Sequence, residues 1–166
     1  IVILAGVGLI VGALSVTGLS GTLVNDLLAI AGEDLVLLLL MGALTSFVLG
    51  IGMTVTAAYI FLAIVLAPAL VGQGLNPLAA HLFILYWAML SYITPPVALG
   101  AYSAASIASA SPIATGFSAM RMGSVLYIIP FIFVLDNAFL MDGSALDVAQ
   151  VVTEALIGIW LIAGSL

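Results

Sequence analysis

Residues 91–106, SYITPPVALGAYSAAS, place Ser91 and Thr94 just ahead of two adjacent prolines and Tyr102, Ser103 and Ser106 just beyond them. A second pair of hydroxyls, Thr54 and Thr56, lies in GIGMTVT, residues 50–56. Hydroxyl and carbonyl oxygens bind a hard monovalent cation, and no carboxylate is required. Prolines at Pro95 and Pro96 remove two backbone donors and clash with the preceding turn. They also push Thr94 out of helical geometry. Carbonyls in an apolar run are thereby left without their usual partners, where an unsatisfied group is expensive. The competing explanation is a simple proline kink, with serines bonding back to their own turns.

Other side chains invite different chemistry. GLSG, Gly18 to Gly21, has the GxSG pattern of rhomboid-type intramembrane serine proteases, with Ser20 as nucleophile and His81 as base. A dyad needs both partners recessed together, and Ser20 falls at the end of an apolar run. His81 is read instead as an interfacial residue at a helix start. Asp136 is an ionisable residue near the end of another run, read as a solvated carboxylate. With no cysteine, thiolate metal sites and cysteine nucleophiles are excluded.

The elements that must position these groups belong to a membrane. Of 166 residues, 66% are hydrophobic and 5% are charged; a soluble domain carries about 25% charged residues. The long runs do not alternate as barrel strands do. Lysine and arginine together number one, so there is no basic nucleic-acid footprint. The fold class is an all-α integral membrane protein. The chain begins at Ile1 inside an apolar run, so a piece of a larger membrane protein is expected.

Along the chain, residues 1–19 are long enough to span, with Gly8, Gly12 and Ser15 on one small face. Residues 20–34 suit a short interfacial helix. Residues 35–71 hold two apolar arms, 35–49 and 56–71, around the uncharged tip 50–56. At ~1.5 Å per residue each arm reaches about 22–24 Å, short of the ~30 Å hydrocarbon core. A re-entrant hairpin fits these lengths. Residues 73–77 form a turn, 77–109 a helix broken at the prolines, 110–116 a loop and 117–141 a span. An outer loop and the start of a trailing transmembrane helix complete 142–166. Arg121, the single basic residue, places the 110–116 loop in the cytoplasm by the positive-inside rule. A re-entrant tip and a broken helix in one chain match the way secondary transporters hold Na+ and anionic substrates.

With these motifs placed, the chain resembles the large membrane subunit of tripartite ATP-independent periplasmic (TRAP) transporters. The likeness is closer to the fused permeases that work with TAXI-type solute-binding proteins. It is carried by GIGMTVTAAYIFLAIVLAPAL, PLAAHLFILYWAMLSYITPPVALGAYSAASIA and SPIATGFSAMRMGSVLYIIPFIFV, in that order and spacing, with GVGLIVGALSVTGLSGTL ahead of them.

The resemblance implies an elevator-type transporter of inverted repeats, of which residues 1–141 look like the C-terminal repeat. It implies a Na+ site using Gly50, Gly52, Thr56, Ser91 and Thr94, and substrate contacts from Thr54, Thr56, Pro95, Pro96 and Ser103. Na+ would be the coupling ion, with no organic cofactor and no enzymatic activity. Small organic anions, carboxylates above all, would be the substrates.

The implied partners are a periplasmic solute-binding protein, a small membrane subunit or its fused equivalent, the first repeat of the same permease, and the bilayer of a bacterial or archaeal cytoplasmic membrane. The chain departs from the family pattern where relatives often have Pro-Thr at Thr54 and Val55, and Asn-Pro at Asp136 and Asn137. The alternative within the same architecture is a divalent-anion-type Na+ symporter with no binding-protein partner.

Overall fold

The computed structural model describes residues 34–52 and 54–165, together with residues 9, 12–13, 16–18, 22, 25–26 and 29–32. The span expected over 1–19 lies mostly, and the interfacial helix expected over 20–34 partly, outside the described residues, as does Ser20. Every regular element among the described residues is helical. They fall into two compact units, residues 1–88 and 89–166.

The first unit is built on a helical hairpin. Helix α1, Leu35–Gly52, starts where Asp34 Oδ1 accepts hydrogen bonds from the N–H groups of Val36 and Leu37 at 2.9 and 3.1 Å. This is N-capping by a carboxylate. Helix α2, Val55–Val65, starts at Thr54, whose hydroxyl accepts from Ala57 N–H at 3.3 Å. Gly42 packs on Leu66, the two lying equally far in sequence from Thr54, so the arms run antiparallel. Pro68 opens the short helix α3, Ala67–Gly72, and has no N–H to continue the α2 ladder. Gly74, at φ +90°, ends α3, and Leu75 N–H reaches back to Leu70 O at 3.3 Å. That is a left-handed C-terminal cap, where glycine avoids the Cβ clash.

Helix α4, Pro77–Met89, begins with a proline in its first turn after the cap residue Asn76, whose Oδ1 accepts from Leu78 N–H at 2.8 Å. It lies along the hairpin. Tyr59 meets His81, the Phe47 and Trp87 rings pack edge to face, and Gly50 touches the Ala88 backbone.

Helix α1 shows which surroundings this unit is built for. Its inward face is Leu38, Leu39, Gly42, Ala43, Ser46 and Gly50, and its outward face is Val36, Leu37, Leu40, Leu44 and Val48. A helix in water puts polar residues outward. Here the outward face is apolar, as lipid requires, and the small residues Gly42, Ala43, Ser46 and Gly50 join Leu38 and Leu39 on the inward face.

The second unit opens with a 3-10 turn, Leu90–Tyr92, and the proline break, then α5, Leu99–Ile107, and α6, Pro112–Met122. A 3-10 turn, Ser124–Tyr127, leads into α7, Ile129–Leu135. A third, Asn137–Leu140, precedes α8, Ala145–Ser165.

Several boundaries differ from those expected. The α1 arm runs to Gly52 rather than 49, and α2 starts at Val55 rather than 56. Residues 112–116, expected as loop, are the first turns of α6, because Pro112 is pre-set for a helix start and its missing N–H costs nothing there. The span expected over 117–141 is bent by 67° between Pro112–Met122 and Ser124–Leu135. Gly123 ends α6, and Pro130 cannot donate to the carbonyl one turn back, at Leu126. Helix α8 begins at Ala145. Ser144 and Asp147 cap each other: Ser144 N–H and Oγ–H donate to Asp147 Oδ2, and Asp147 N–H donates to Ser144 Oγ. Among the described residues only α8 is by itself long and apolar enough to cross a membrane; the bent pair qualifies as one further span.

The hairpin packing generates a paired prediction. A Cβ added at Gly50 would sit 2.6 Å from Ala88 O, whereas one at Gly72 would meet nothing within 4 Å. Gly50→Ala should therefore lower stability by about 1–3 kcal/mol. Gly72→Ala should leave it unchanged or raise it by up to about 1 kcal/mol. Thermal melting of the purified protein in detergent reads both. A Gly50→Ala protein that melts like wild type would mean that α1 and α4 do not touch there.

Candidate ion-binding site at the helix breaks

The hairpin tip supplies one set of candidate groups. Gly50 and Gly52 are in the last turn of α1, whose final carbonyls have no intrahelical donor. Thr54 is spent in part as the α2 cap, its hydroxyl on Ala57 N–H and its carbonyl accepting from Ala58 N–H at 2.9 Å. Thr56 is exposed in the first turn of α2. The tip thus brings together a helix C-terminus, which favours a cation, and a helix N-terminus, which favours an anion. Ser46, one turn before Gly50, is fully buried and its Oγ has no hydrogen-bond partner. It was not singled out in the sequence, yet Gly42, Ser46 and Gly50 form a small-residue stripe at helical spacing that marks this face.

In the second unit the proline break is a separate candidate region. The Pro95-Pro96 peptide is cis. Ser91 is buried in the 3-10 turn and Thr94 is 5% exposed. With no N–H at Pro95 and Pro96, the carbonyls of Ser91 and Tyr92 cannot receive the bond one turn ahead. Leu90 O is used twice, by Ile93 N–H at 3.1 Å and by the Thr94 hydroxyl at 2.7 Å. Thr94 O accepts from Ala98 N–H at 3.1 Å. Ala98 then takes a left-handed conformation, φ 36° and ψ 46°, and leads into α5 without a side-chain cap. Pro95 is half-buried and Pro96 exposed. Ser103 is exposed and donates to Leu99 O at 2.8 Å, bonding back to its own turn.

Helix α6 and the 3-10 turn after it hold this break. A Cβ at Gly116 would lie 2.8 Å from Pro95, and one at Gly123 would lie 2.7 Å from Ile93. Tyr127 completes the row: its phenol oxygen lies 2.5 Å from Thr94 Oγ1. Since Thr94 donates to Leu90 O, the phenol donates to Thr94. The Thr94 hydroxyl, expected as a free ligand, is engaged on both sides and keeps one lone pair. Sequence reading missed Tyr127. Its signal was positional: residues 116, 123 and 127 are spaced by seven and four, one face of a helix.

His81, the imagined protease base, has its Nδ1 3.1 Å from the Tyr59 hydroxyl, so it is a packing partner of the hairpin. Asp136 Oδ1 accepts from Ala138 N–H at 2.9 Å and caps the third 3-10 turn. Among the described residues no group of three or more His, Cys, Asp or Glu could hold a metal. Any cation here would be held by hydroxyls and carbonyls.

The link from Thr94 to Tyr127 is testable by a double-mutant cycle. Tyr127→Phe and Thr94→Val should each cost about 0.5–1.5 kcal/mol of stability, as one intramolecular hydrogen bond does. The double variant should lose measurably less than the sum, because both singles break the same bond. Strict additivity in thermal melting would show that the two hydroxyls do not interact.

Comparison with curated proteins and with solved structures returns no match. A protein-family model does match: "Tripartite ATP-independent periplasmic transporter, DctM component", over residues 1–145. That stretch holds the hairpin, the proline break and the bent pair, and it is most of the chain, which therefore belongs to the DctM family of TRAP transporter membrane components.

Proposed function

We propose that the chain works as part of a Na+-coupled permease that receives small organic anions from a periplasmic solute-binding protein. Family membership makes it a transporter component and not an enzyme, which disposes of the protease alternative. It also favours the binding-protein-dependent reading over a symporter that acts alone. The permease sits in a bacterial or archaeal cytoplasmic membrane, crosses it several times, and works with a small membrane subunit or its fused equivalent.

The observation that carries the ion claim is the backbone at the break. Pro96 denies the Tyr92 carbonyl its helical donor, and the Thr94 hydroxyl is already held by Leu90 O and Tyr127. Carbonyls freed in this way are the oxygens that coordinate Na+ in discontinuous transporter helices. The tip, residues 50–56, offers carbonyls of its own from the end of α1. The uncapped start of α5 suits a carboxylate, since helix N-termini favour anions. ATP plays no part: no GxxxxGK[ST] loop exists, and the chain has one Lys or Arg in total, Arg121.

The hairpin is re-entrant in this reading, as in an elevator-type permease. At ~1.5 Å per residue α1 is about 27 Å long and α2 about 17 Å, both short of ~30 Å. Its two ends meet, Gln73 Nε2 donating to Gly32 O at 3.3 Å.

Uptake by the full permease in proteoliposomes, with its binding protein, should proceed in Na+ buffer and stop in choline buffer. Equal uptake in the two buffers removes the Na+ claim. The double variant Pro95→Ala, Pro96→Ala should lower apparent Na+ affinity by about tenfold or more while its melting temperature holds or rises, because the new N–H groups take up the carbonyls. The re-entrant claim has its own test. Asp34→Cys and Gln73→Cys should label from one side, and Thr54→Cys should resist reagent from the opposite side when the site is closed to it. Free labelling of Thr54→Cys from that side would make the arms two full spans.

A further inference from the structure

Helix α8 has 21 residues, about 31 Å at 1.5 Å per residue. Glu154 is its tenth residue, so its carboxylate sits at mid-height, about 14 Å from the start. A carboxylate there is costly in hydrocarbon and marks a site whose partner must be named. The structure gives it one hydrogen bond, from Gln150 Nε2 at 2.9 Å. The only Lys or Arg of the chain, Arg121, is on α6.

Glu154 does not point at random. It lines an open groove of about 340 Å³ between α8 and the segment 125–136. Val125 and Ile132 form one wall, Gly158 and Ile162 the other, and Asp136 adds a second carboxylate. A Cβ at Gly158 would meet nothing within 4 Å, so the backbone of α8 is bare there. Leu156 and Trp160, both more than half exposed, are on the opposite side of the helix, while Ile157 and Leu161, also exposed, flank Glu154 at the edge of the groove. The family match ends at residue 145, so all but the first residue of α8 lies beyond it.

We propose that this groove docks a transmembrane helix, foreign to residues 1–166, that carries one lysine or arginine at mid-height and pairs it with Glu154. The inference rests on the reading of α8 as a membrane span. Charge complementarity selects the occupant. Lipid tails would leave the carboxylate unpaired. A second copy of α8 would bring another glutamate at the same height. A helix with one basic side chain neutralises Glu154, packs its apolar surface on Val125, Ile132 and Ile162, and approaches closely at Gly158, as small residues allow.

The test uses the whole permease in phosphatidylcholine vesicles, with a fluorescent donor on Gly158→Cys. The probe is a synthetic leucine-alanine transmembrane peptide carrying an acceptor, with lysine or leucine at its centre. The central-lysine peptide should reach half-maximal energy transfer at about a tenfold lower mole fraction than the central-leucine peptide. Glu154→Gln should erase the difference and Glu154→Asp should keep it. Equal transfer from both peptides, or a preference that survives Glu154→Gln, overturns the docking. So does full transfer between labelled copies without peptide, which would make a second copy the occupant. Quenching of the donor by aqueous iodide would instead remove the span reading, and the docking with it; protection from iodide with equal transfer removes the docking alone.

Discussion

A backbone carbonyl that loses its helical donor in an apolar surrounding must find another partner or carry the cost of standing alone. That constraint organises the second unit. The prolines at 95 and 96 create the deficit, and the neighbouring groups answer it one by one. Leu90 O takes two donors, Thr94 O takes the Ala98 N–H, and the Thr94 hydroxyl is shared with Tyr127. The same rule explains the bend after α6. There Pro130 interrupts the ladder, and the 3-10 bonds Leu126 N–H to Gly123 O and Ile128 N–H to Val125 O tighten the chain across the gap.

Holding such a break in place requires close packing, and lipid offers no hydrophobic gain from helix contact. The chain answers with small residues at the contacts. Gly42 accommodates Leu66, Gly50 meets the Ala88 backbone, Gly116 fits under Pro95, and Gly123 gives room to Ile93. Each added methyl would fall closer than ordinary van der Waals distance. The outer side of α1 is left to large apolar side chains, the reverse of a soluble helix, while Leu38 and Leu39 stay buried. Rigidity at the break and apolarity at the surface are therefore two results of one choice of where to put glycine.

The features legible in the sequence were those with a local cause. Helicity, the apolar class, the hairpin over 35–71, the break at the prolines and the family likeness all follow from composition, arm length and proline chemistry. The missed features depend on what lies across the fold. Nothing local says that Tyr127 bonds Thr94, since the two are far apart in sequence and the link needs the α6 bend. Residues 110–116 read as loop because ASPIATG is rich in small and turn-prone residues, yet Pro112 in a first turn starts a helix equally well. The span expected over 117–141 is bent because its apolarity is continuous while its backbone ladder is not. Apolarity reports the surroundings of a segment, and only the placing of Gly123 and Pro130 reports its straightness.

The acidic residues show how the net charge of −6 is used. Asp34 caps α1, Asp136 caps the third 3-10 turn, and Asp147 shares a cap with Ser144 at the start of α8. Carboxylates at helix N-termini are favourable through the macrodipole and the free N–H groups. None of these three is at the tip or the break, so neither region gains a fixed negative charge from them. A cation held there would meet neutral dipoles alone, and its affinity would depend on how rigidly the carbonyls are aimed. Glu154 is different: it is in the middle of α8 rather than at a helix start, where no backbone N–H is free to receive it. Capping cannot account for its position, and a charge from outside residues 1–166 can.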